Sequence, residues 1–342
     1  MKTFIIAEAG VNHNGDFDTA IKLIDVAADA GADAVKFQTF NADKIASIST
    51  PKAKYQSENM KTNESQLEML KRFELSIEVW KELFSYCKKK NIIFMSTPFD
   101  EESADMLNDL GLSIFKIPSG EITNKPLIKH IAGKNKPVIL STGMSYLGEV
   151  EKAINWIYEV WDKLNNRPQL TLLHCVSNYP ASVEDVNLLA MKTMETAFGL
   201  PVGYSDHTMG IEIPVAAVAM GAKVIEKHFT LDRNMDGPDH KASLEPDELK
   251  AMVKAIRSVE SSLGDGIKRA ANSERDTRDI ARRSLVAIRN IKNGQTITSD
   301  DITIKRPGIG IPPEFREVVI GMVAGKDLRT DSIIRWEDLK HA

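Results

Sequence analysis

Short apolar runs rich in β-branched and aromatic residues recur through the first two-thirds of the chain: Thr3–Ala7, Ala34–Gln38, Ile92–Ser96, Ser113–Ile117, Pro137–Ser141, Leu170–His174, Val202–Ser205 and Lys223–His228. Each reads as a short buried strand. Between them apolar positions return at helical spacing, as in Ile21, Leu23, Ile24, Ala27 and Ala28 before Gly31, or Val79, Leu83, Phe84 and Cys87 after a capping Ser76. Eight β-α repeats with short connections predict a parallel sheet, and closing it gives a (β/α)8 TIM barrel; a doubly wound open sheet is the alternative. The last helix of the series runs from about Glu245 to Leu263 and stops at Gly264-Asp265-Gly266.

Beyond that point the pattern changes. Residues 267–283 are dominated by Lys, Arg, Asp and Glu with no Gly or Pro, which suits a solvated connector or a short polar helix. From Ser284 onward the chain is short-stranded and rich in turns. The expected organisation is a barrel over 1–266, a linker over 267–283 and a small domain over 284–342. The small domain holds an internal echo, Ile291 to Ile302 laid over Leu328 to Leu339 without a gap, which predicts pseudo-symmetry.

Composition narrows the partners. Hydrophobic residues make up 42% and charged residues 27% of 342, the balance of a soluble globular protein. With 44 basic and 48 acidic side chains the net charge is −4, which leaves no positive surplus to neutralise a nucleic acid. The longest late apolar stretch, Pro214 to Ala222, is too short to span a bilayer, and Phe4 to Ala7 is too short for a signal-peptide core. Cys87 and Cys175 read as reduced thiols, so a cytoplasmic protein with neither nucleic-acid nor membrane partners is expected.

Reactive groups in such a barrel come from the C-terminal ends of the strands. Those ends carry Glu8, Lys36 and Gln38, Ser96 and Thr97, Lys116 with Ser119 and Glu121, Ser141 and Thr142, His174, Ser205 with Asp206 and His207, and Glu226 with His228. Strand side chains alternate, so Lys36 shares a face with Gln38 and Glu226 with His228. Lys36 and Lys116, with the hydroxyls of Thr97, Ser119, Ser141 and Ser205 and the backbones of Gly120 and Gly143, form an anion cradle that implies a phosphorylated substrate. Neither a Walker-type nor a dinucleotide-type glycine motif is present. His207 and His228, on neighbouring strands of a closed barrel, either share a metal ion or hydrogen-bond; imidazole alone admits Zn²⁺, Fe²⁺ or Mn²⁺.

Several stretches carry a resemblance: IAEAGVNHNG (6–15), VKFQTF (35–40), STPFD (96–100), FKIPSGE (115–121), LSTGM (140–144), LLHCVSNYP (172–180), YSDHT (204–208), EKHFT (226–230), GPDH (237–240) and KRPG (305–308). Over nearly its whole length the chain resembles the sialic acid synthase family of phosphoenolpyruvate-dependent nonulosonic acid synthases. The resemblance implies a TIM barrel followed by an antifreeze-like (SAF) domain, in a domain-swapped homodimer. It implies condensation of phosphoenolpyruvate with the open-chain aldehyde of an N-acylmannosamine-type sugar, with Mn²⁺ or Mg²⁺ on the residues matching His207 and His228. Lys36, Thr97, Lys116, Ser119, Ser141, Ser205 and His207 match positions that hold phosphoenolpyruvate; Ser177 stands where part of the family has an asparagine in contact with it. Glu8, Gln38, Tyr179 and Asp239 match sugar-contacting positions, Glu226 is the candidate for moving a water proton, and Arg306 matches an arginine extended from the partner's small domain. The sugar is N-acetylmannosamine or a 2,4-diacylamino-6-deoxy relative, with GLSIFKIPSGEITN (111–124) and GPDHKASLEP (237–246) favouring the second. The long connection from Thr39 to Leu75 is expected to act as a lid or specificity element. Two other readings are a metal-independent Schiff-base aldolase using Lys116 or Lys36, and a sugar-binding protein led by the tail.

Overall fold

The computed structural model describes residues 2–47, 50–52, 56–57 and 64–341. They fall into two compact units, Met1–Gly264 and Asp265–Ala342. The first holds eight parallel strands: β1 (Phe4–Gly10), β2 (Ala34–Thr39), β3 (Ile93–Pro98), β4 (Phe115–Ile117), β5 (Val138–Ser141), β6 (Leu170–Cys175), β7 (Val202–Asp206) and β8 (Val224–His228). Hydrogen bonding runs β3-β2-β1-β8-β7-β6-β5-β4, and β3 and β4 stand side by side without a ladder. This is the expected (β/α)8 barrel, because β1 and β8 pair directly, Phe4 opposite Val224 and Glu8 opposite His228.

The helices follow from the periodicity. Ser76 caps Ile77–Lys89 by accepting from the Val79 N–H at 3.4 Å, and the last barrel helix spans Pro246–Ser262. Outward-facing strand residues such as Val35, Phe37, Phe115, Leu140, Leu172 and Ile225 pack with helix residues Leu23, Leu83, Ile128 and Ile157 in the main core. Each side chain so buried contributes about 1.5–3 kcal/mol.

The barrel interior is a separate apolar plug of Ile6, Ala34, Met95, Ile139, Leu173 and Val224, with Ile114 against it. Gly203 on β7 completes this layer. A Cβ there would lie 2.3 Å from the Val224 carbonyl oxygen, so the barrel is narrow enough at this level to demand glycine.

Strands β9 (Ser284–Ala287) and β10 (Ile302–Lys305) pair antiparallel in the second unit, as do β11 (Val323–Ala324) and β12 (Leu339–Lys340). The sequence echo is a structural one. Ile291 and Leu328 exchange N–H···O bonds of 2.8 Å, the Asn293 N–H donates to Asp327, and the Thr330 N–H donates reciprocally to Asn290. Asp301 accepts from the Thr298 N–H as Asp338 does from the Arg335 N–H, and Ile297 and Ile334 are buried at matching places. The charged stretch 267–283 contains an exposed helix, Arg275–Ala281, and groups with this unit.

His13, in the turn after β1, is fully buried beside Phe37 and Trp80, and burial lowers it to about 4. The unfolded chain therefore binds a proton there between about pH 6.5 and 4 that the folded chain refuses, so stability is lost as pH falls through that window. Relative to His13→Asn, the native chain should lose up to ~3 kcal/mol between pH 7 and pH 4, read from denaturant unfolding at both.

Candidate functional site

Two residues above the plug, every strand turns polar. Stepping up from Ile6, Ala34, Met95, Ile114, Ile139, Leu173, Gly203 and Val224 gives Glu8, Lys36, Thr97, Lys116, Ser141, Cys175, Ser205 and Glu226. Strand alternation aims this second layer at the barrel axis, and a further step of two brings Gln38, Gly143, Ser177, His207 and His228 above it. All of these but Gly143, which packs behind Ser119 and Ser177, line a cavity of about 450 Å³ at the C-terminal mouth. It contains fourteen of the fifteen residues to which the resemblance gives a role: Glu8, Lys36, Gln38, Thr97, Lys116, Ser119, Ser141, Ser177, Tyr179, Ser205, His207, Glu226, His228 and Asp239. Arg306 belongs to the second unit, where it is exposed.

The floor is a buried charge network. Lys36 Nζ lies 2.8 Å from Glu8 Oε2 and 2.9 Å from Thr97 Oγ1, and Lys116 Nζ lies 3.1 Å from Glu226 Oε1, which also accepts from Ser205 Oγ at 3.1 Å. Burying four charges without partners costs several kcal/mol each, so they occur as two of each sign. Burial pushes the Glu8 carboxyl up to about 7, with Lys36 opposing. Burial also works against the Glu226 carboxylate, but Lys116 and Lys36 outweigh it and hold that group at about 2. Burial pulls Lys116 below its ordinary value; burial opposes the Lys36 ammonium too, but Glu226 and Glu8 outweigh it and carry Lys36 above its own. Asp239, higher in the mouth, is raised to about 7 by burial.

The two imidazoles are neighbours with ring centroids 5.5 Å apart and planes tilted by 52°, and Tyr179 lies against His207 at 4.1 Å, tilted by 37°. Burial lowers His207 to about 4; burial and then His207 itself lower His228 well below its usual value. Both rings are therefore neutral at pH 7. The Val176 carbonyl accepts from His207 Nδ1 at 2.6 Å, which assigns the proton to Nδ1 and leaves Nε2 its lone pair. His228 Nδ1 is buried with no hydrogen-bond partner among the described residues, and so is Ser141 Oγ. Two neutral nitrogen donors fit an open, two-ligand cation site. No group of three or more His, Cys, Asp or Glu able to hold a metal occurs among the described residues.

Some strand-end residues point elsewhere. Ser96 bonds Thr39, Thr142 and His174 bond the carbonyls of Leu173 and Val186, and Asp206 pairs with Lys227, all off the axis by the same alternation. Glu121 lies outside the cavity, bonded to Asn124. Conversely, Cys175 is in the floor layer, 3.1 Å from Ser119 Oγ, because it sits two residues above Leu173. One wall is apolar, with Val11 from the turn after β1 and Phe40, Met69, Leu70 and Phe73 from the long connection after β2. The remainder of the expected lid, at 48, 49, 53–55 and 58–63, lies outside the described residues.

A parallel barrel whose mouth joins buried ammoniums, hydroxyls and a neighbouring pair of neutral imidazoles is an anion-handling (β/α)8 enzyme site. Residues 23–268 match the NeuB family and residues 282–340 the SAF domain, and the chain belongs to the NeuB family. It is 54% identical over 334 residues to an N,N'-diacetyllegionaminic acid synthase of Campylobacter jejuni, covering 98% of this chain and 99% of that protein. Its identity to the enzyme of the same name in Legionella pneumophila is 47% over 340 residues, 99% of this chain and 95% of the other. The crystal structure of N-acetylneuraminic acid synthetase from Leptospira borgpetersenii, in complex with citrate, superimposes with a TM-score of 0.70 at 39% identity, over 81% of this chain and 90% of that one. Among the described residues no helix is long and apolar enough to cross a membrane.

Proposed function

We propose that this chain condenses phosphoenolpyruvate with the open-chain aldehyde of an N-acylated mannosamine-type sugar and water, releasing phosphate and a nine-carbon keto acid. The observation that carries the reading is the layering of the mouth: paired ammoniums and hydroxyls on the floor, two neutral imidazoles above. Lys36, Lys116, Thr97, Ser119, Ser141, Ser177 and Ser205 hold the phosphate and carboxylate of phosphoenolpyruvate. Gln38, Tyr179 and Asp239 orient the sugar. His207 and His228 hold Mn²⁺ or Mg²⁺, which when bound supplies Lewis-acid polarisation of a carbonyl oxygen.

Carbon 3 of phosphoenolpyruvate forms the new bond to the aldehyde carbon, whose oxygen takes a proton, and water adds at carbon 2. The resulting tetrahedral centre loses phosphate by C–O cleavage. Glu8, held near neutrality as an acid, is placed to give the proton to the aldehyde oxygen. Glu226, ionised between two ammoniums, accepts one from the attacking water. Lys116 is ion-paired to Glu226, which favours an ammonium that binds anions over the free amine a Schiff base requires.

The 54% and 47% relatives support a 2,4-diacetamido-2,4,6-trideoxymannose over N-acetylmannosamine. Arg306, exposed on the second unit, fits a domain-swapped homodimer in which it reaches the partner's sugar. Two free, buried thiols fit a reducing cytoplasm. Purified chain with Mn²⁺, phosphoenolpyruvate and each sugar in turn should release phosphate, faster with the diacetamido sugar. Release with neither sugar would overturn the reading.

Gly143 tests the cradle separately. A Cβ there would lie 2.3 Å from Ser177 Oγ, 2.7 Å from Cys175 Sγ and 2.9 Å from Ser119 Oγ, so Gly143→Ala must push these groups away. Steady-state kinetics should show the KM for phosphoenolpyruvate raised at least about tenfold, with the KM for sugar little changed.

A further inference from the structure

Ten of the fourteen arginines lie in the last 78 residues, where lysines number five; the barrel unit has four arginines and 25 lysines. The planar guanidinium suits two-point recognition of phosphate or carboxylate, which a lysine meets only as a point charge. Three of these arginines are tied to carboxylates: Arg269 to Asp265, Arg289 to Asp301 and Arg316 to Glu317. Arg275, Arg278, Arg282 and Arg283 have no ion pair or hydrogen bond through the guanidinium among the described residues, and all four line one cavity of about 680 Å³ within the second unit.

The walls of that cavity are backbone-fixed. The Gly308 N–H donates to the Asp279 carbonyl at 2.7 Å, tying the helix Arg275–Ala281 to the turn of residues 305–308. Gly308 lies so close that a Cβ on it would be 2.5 Å from Arg282 Cβ. Pro312 and Pro313 form a rigid rim, and Asn272 adds an amide. Asp279 and Glu314 also line the cavity, so four positive charges there face two negative ones. The unbalanced guanidiniums repel one another until an anion with several acceptor oxygens enters.

We propose that this cavity is a binding site for a phosphate chain, as in an inorganic polyphosphate or a nucleoside triphosphate. Its concave shape and its volume favour a small polyanion over the acidic face of another protein. Such a chain offers each arginine two oxygens and displaces no existing ion pair.

Titration calorimetry of the full chain with inorganic tripolyphosphate should give saturable one-site binding. Arg278→Ala with Arg282→Ala should weaken it at least about tenfold at an unchanged thermal midpoint, and the paired lysine variant should fall between. A parallel arm with ATP separates the sources: tighter binding than tripolyphosphate assigns the site to a nucleotide, equal binding to the phosphate chain alone, and either supports the proposal. Absence of saturable binding, or affinity indifferent to the alanine pair, overturns it. So does a change in sedimentation of the alanine variant with tripolyphosphate affinity intact, which would make the patch an interface between copies of this chain.

Discussion

Alanine at both His207 and His228 will cut phosphate release from phosphoenolpyruvate and sugar by at least about 10³-fold, a loss of roughly 4 kcal/mol of transition-state stabilisation. The magnitude follows from what the rings supply. They are neutral, lie with centroids 5.5 Å apart and stand above the charged floor, so both nitrogen donors of the proposed cation site vanish together. The floor itself is untouched: Lys36, Lys116 and their hydroxyl partners bond to Glu8, Glu226 and each other, not to the imidazoles. Calorimetric binding of phosphoenolpyruvate should therefore survive within a few-fold, and the chain should still unfold cooperatively. Near-native velocity in the double variant, or in chelator-treated native enzyme, would eliminate the cation from the mechanism.

Lys227→Met carries the largest expected cost in stability, about 3–5 kcal/mol. Lys227 and Asp206 are both wholly buried and register-paired on β8 and β7, facing away from the barrel axis. The ammonium also donates to the Thr208 carbonyl, while Thr208 donates its N–H and hydroxyl to Asp206. Methionine leaves the carboxylate with those donors alone and the carbonyl without its donor. Denaturant unfolding at pH 7 should show the deficit, and adding Asp206→Asn should recover a large part by removing the stranded charge. A deficit under about 1 kcal/mol would overturn the pair as a determinant of stability. Asp206 stands between Ser205 and His207, so the same pair also fixes how the end of β7 presents the mouth.

The barrel was legible because buried parallel strands interrupt helical periodicity in a way no other segment does. The predicted strands stop short at their C-terminal ends, however: Ile92–Ser96 extends in the structure to Pro98, and Val202–Ser205 to Asp206. Polarity ordinarily marks a strand's exit to solvent, but here polar residues continue the ladder into an enclosed mouth. Polarity alone groups Ser96, Thr142, His174 and Asp206 with their neighbours at these ends. Alternation turns them outward, and a two-residue step from Ile6, Leu173 and Val224 separates the two classes. That step also finds Cys175, which sequence passed over as a mere thiol. The apolar wall of Met69 and Phe73 had no comparable signal, since it comes from a connection that touches the mouth only through tertiary folding.

The ladder missing between β3 and β4 leaves the ring with one unstitched edge. Thr97 stands on one lip and Lys116 on the other, joined only the long way round, through Lys36 of β2 and Glu226 of β8. The anion proposed to rest between those lips would act as a clasp on the fold as well as cargo, so that filling the mouth and stiffening the scaffold would be a single event.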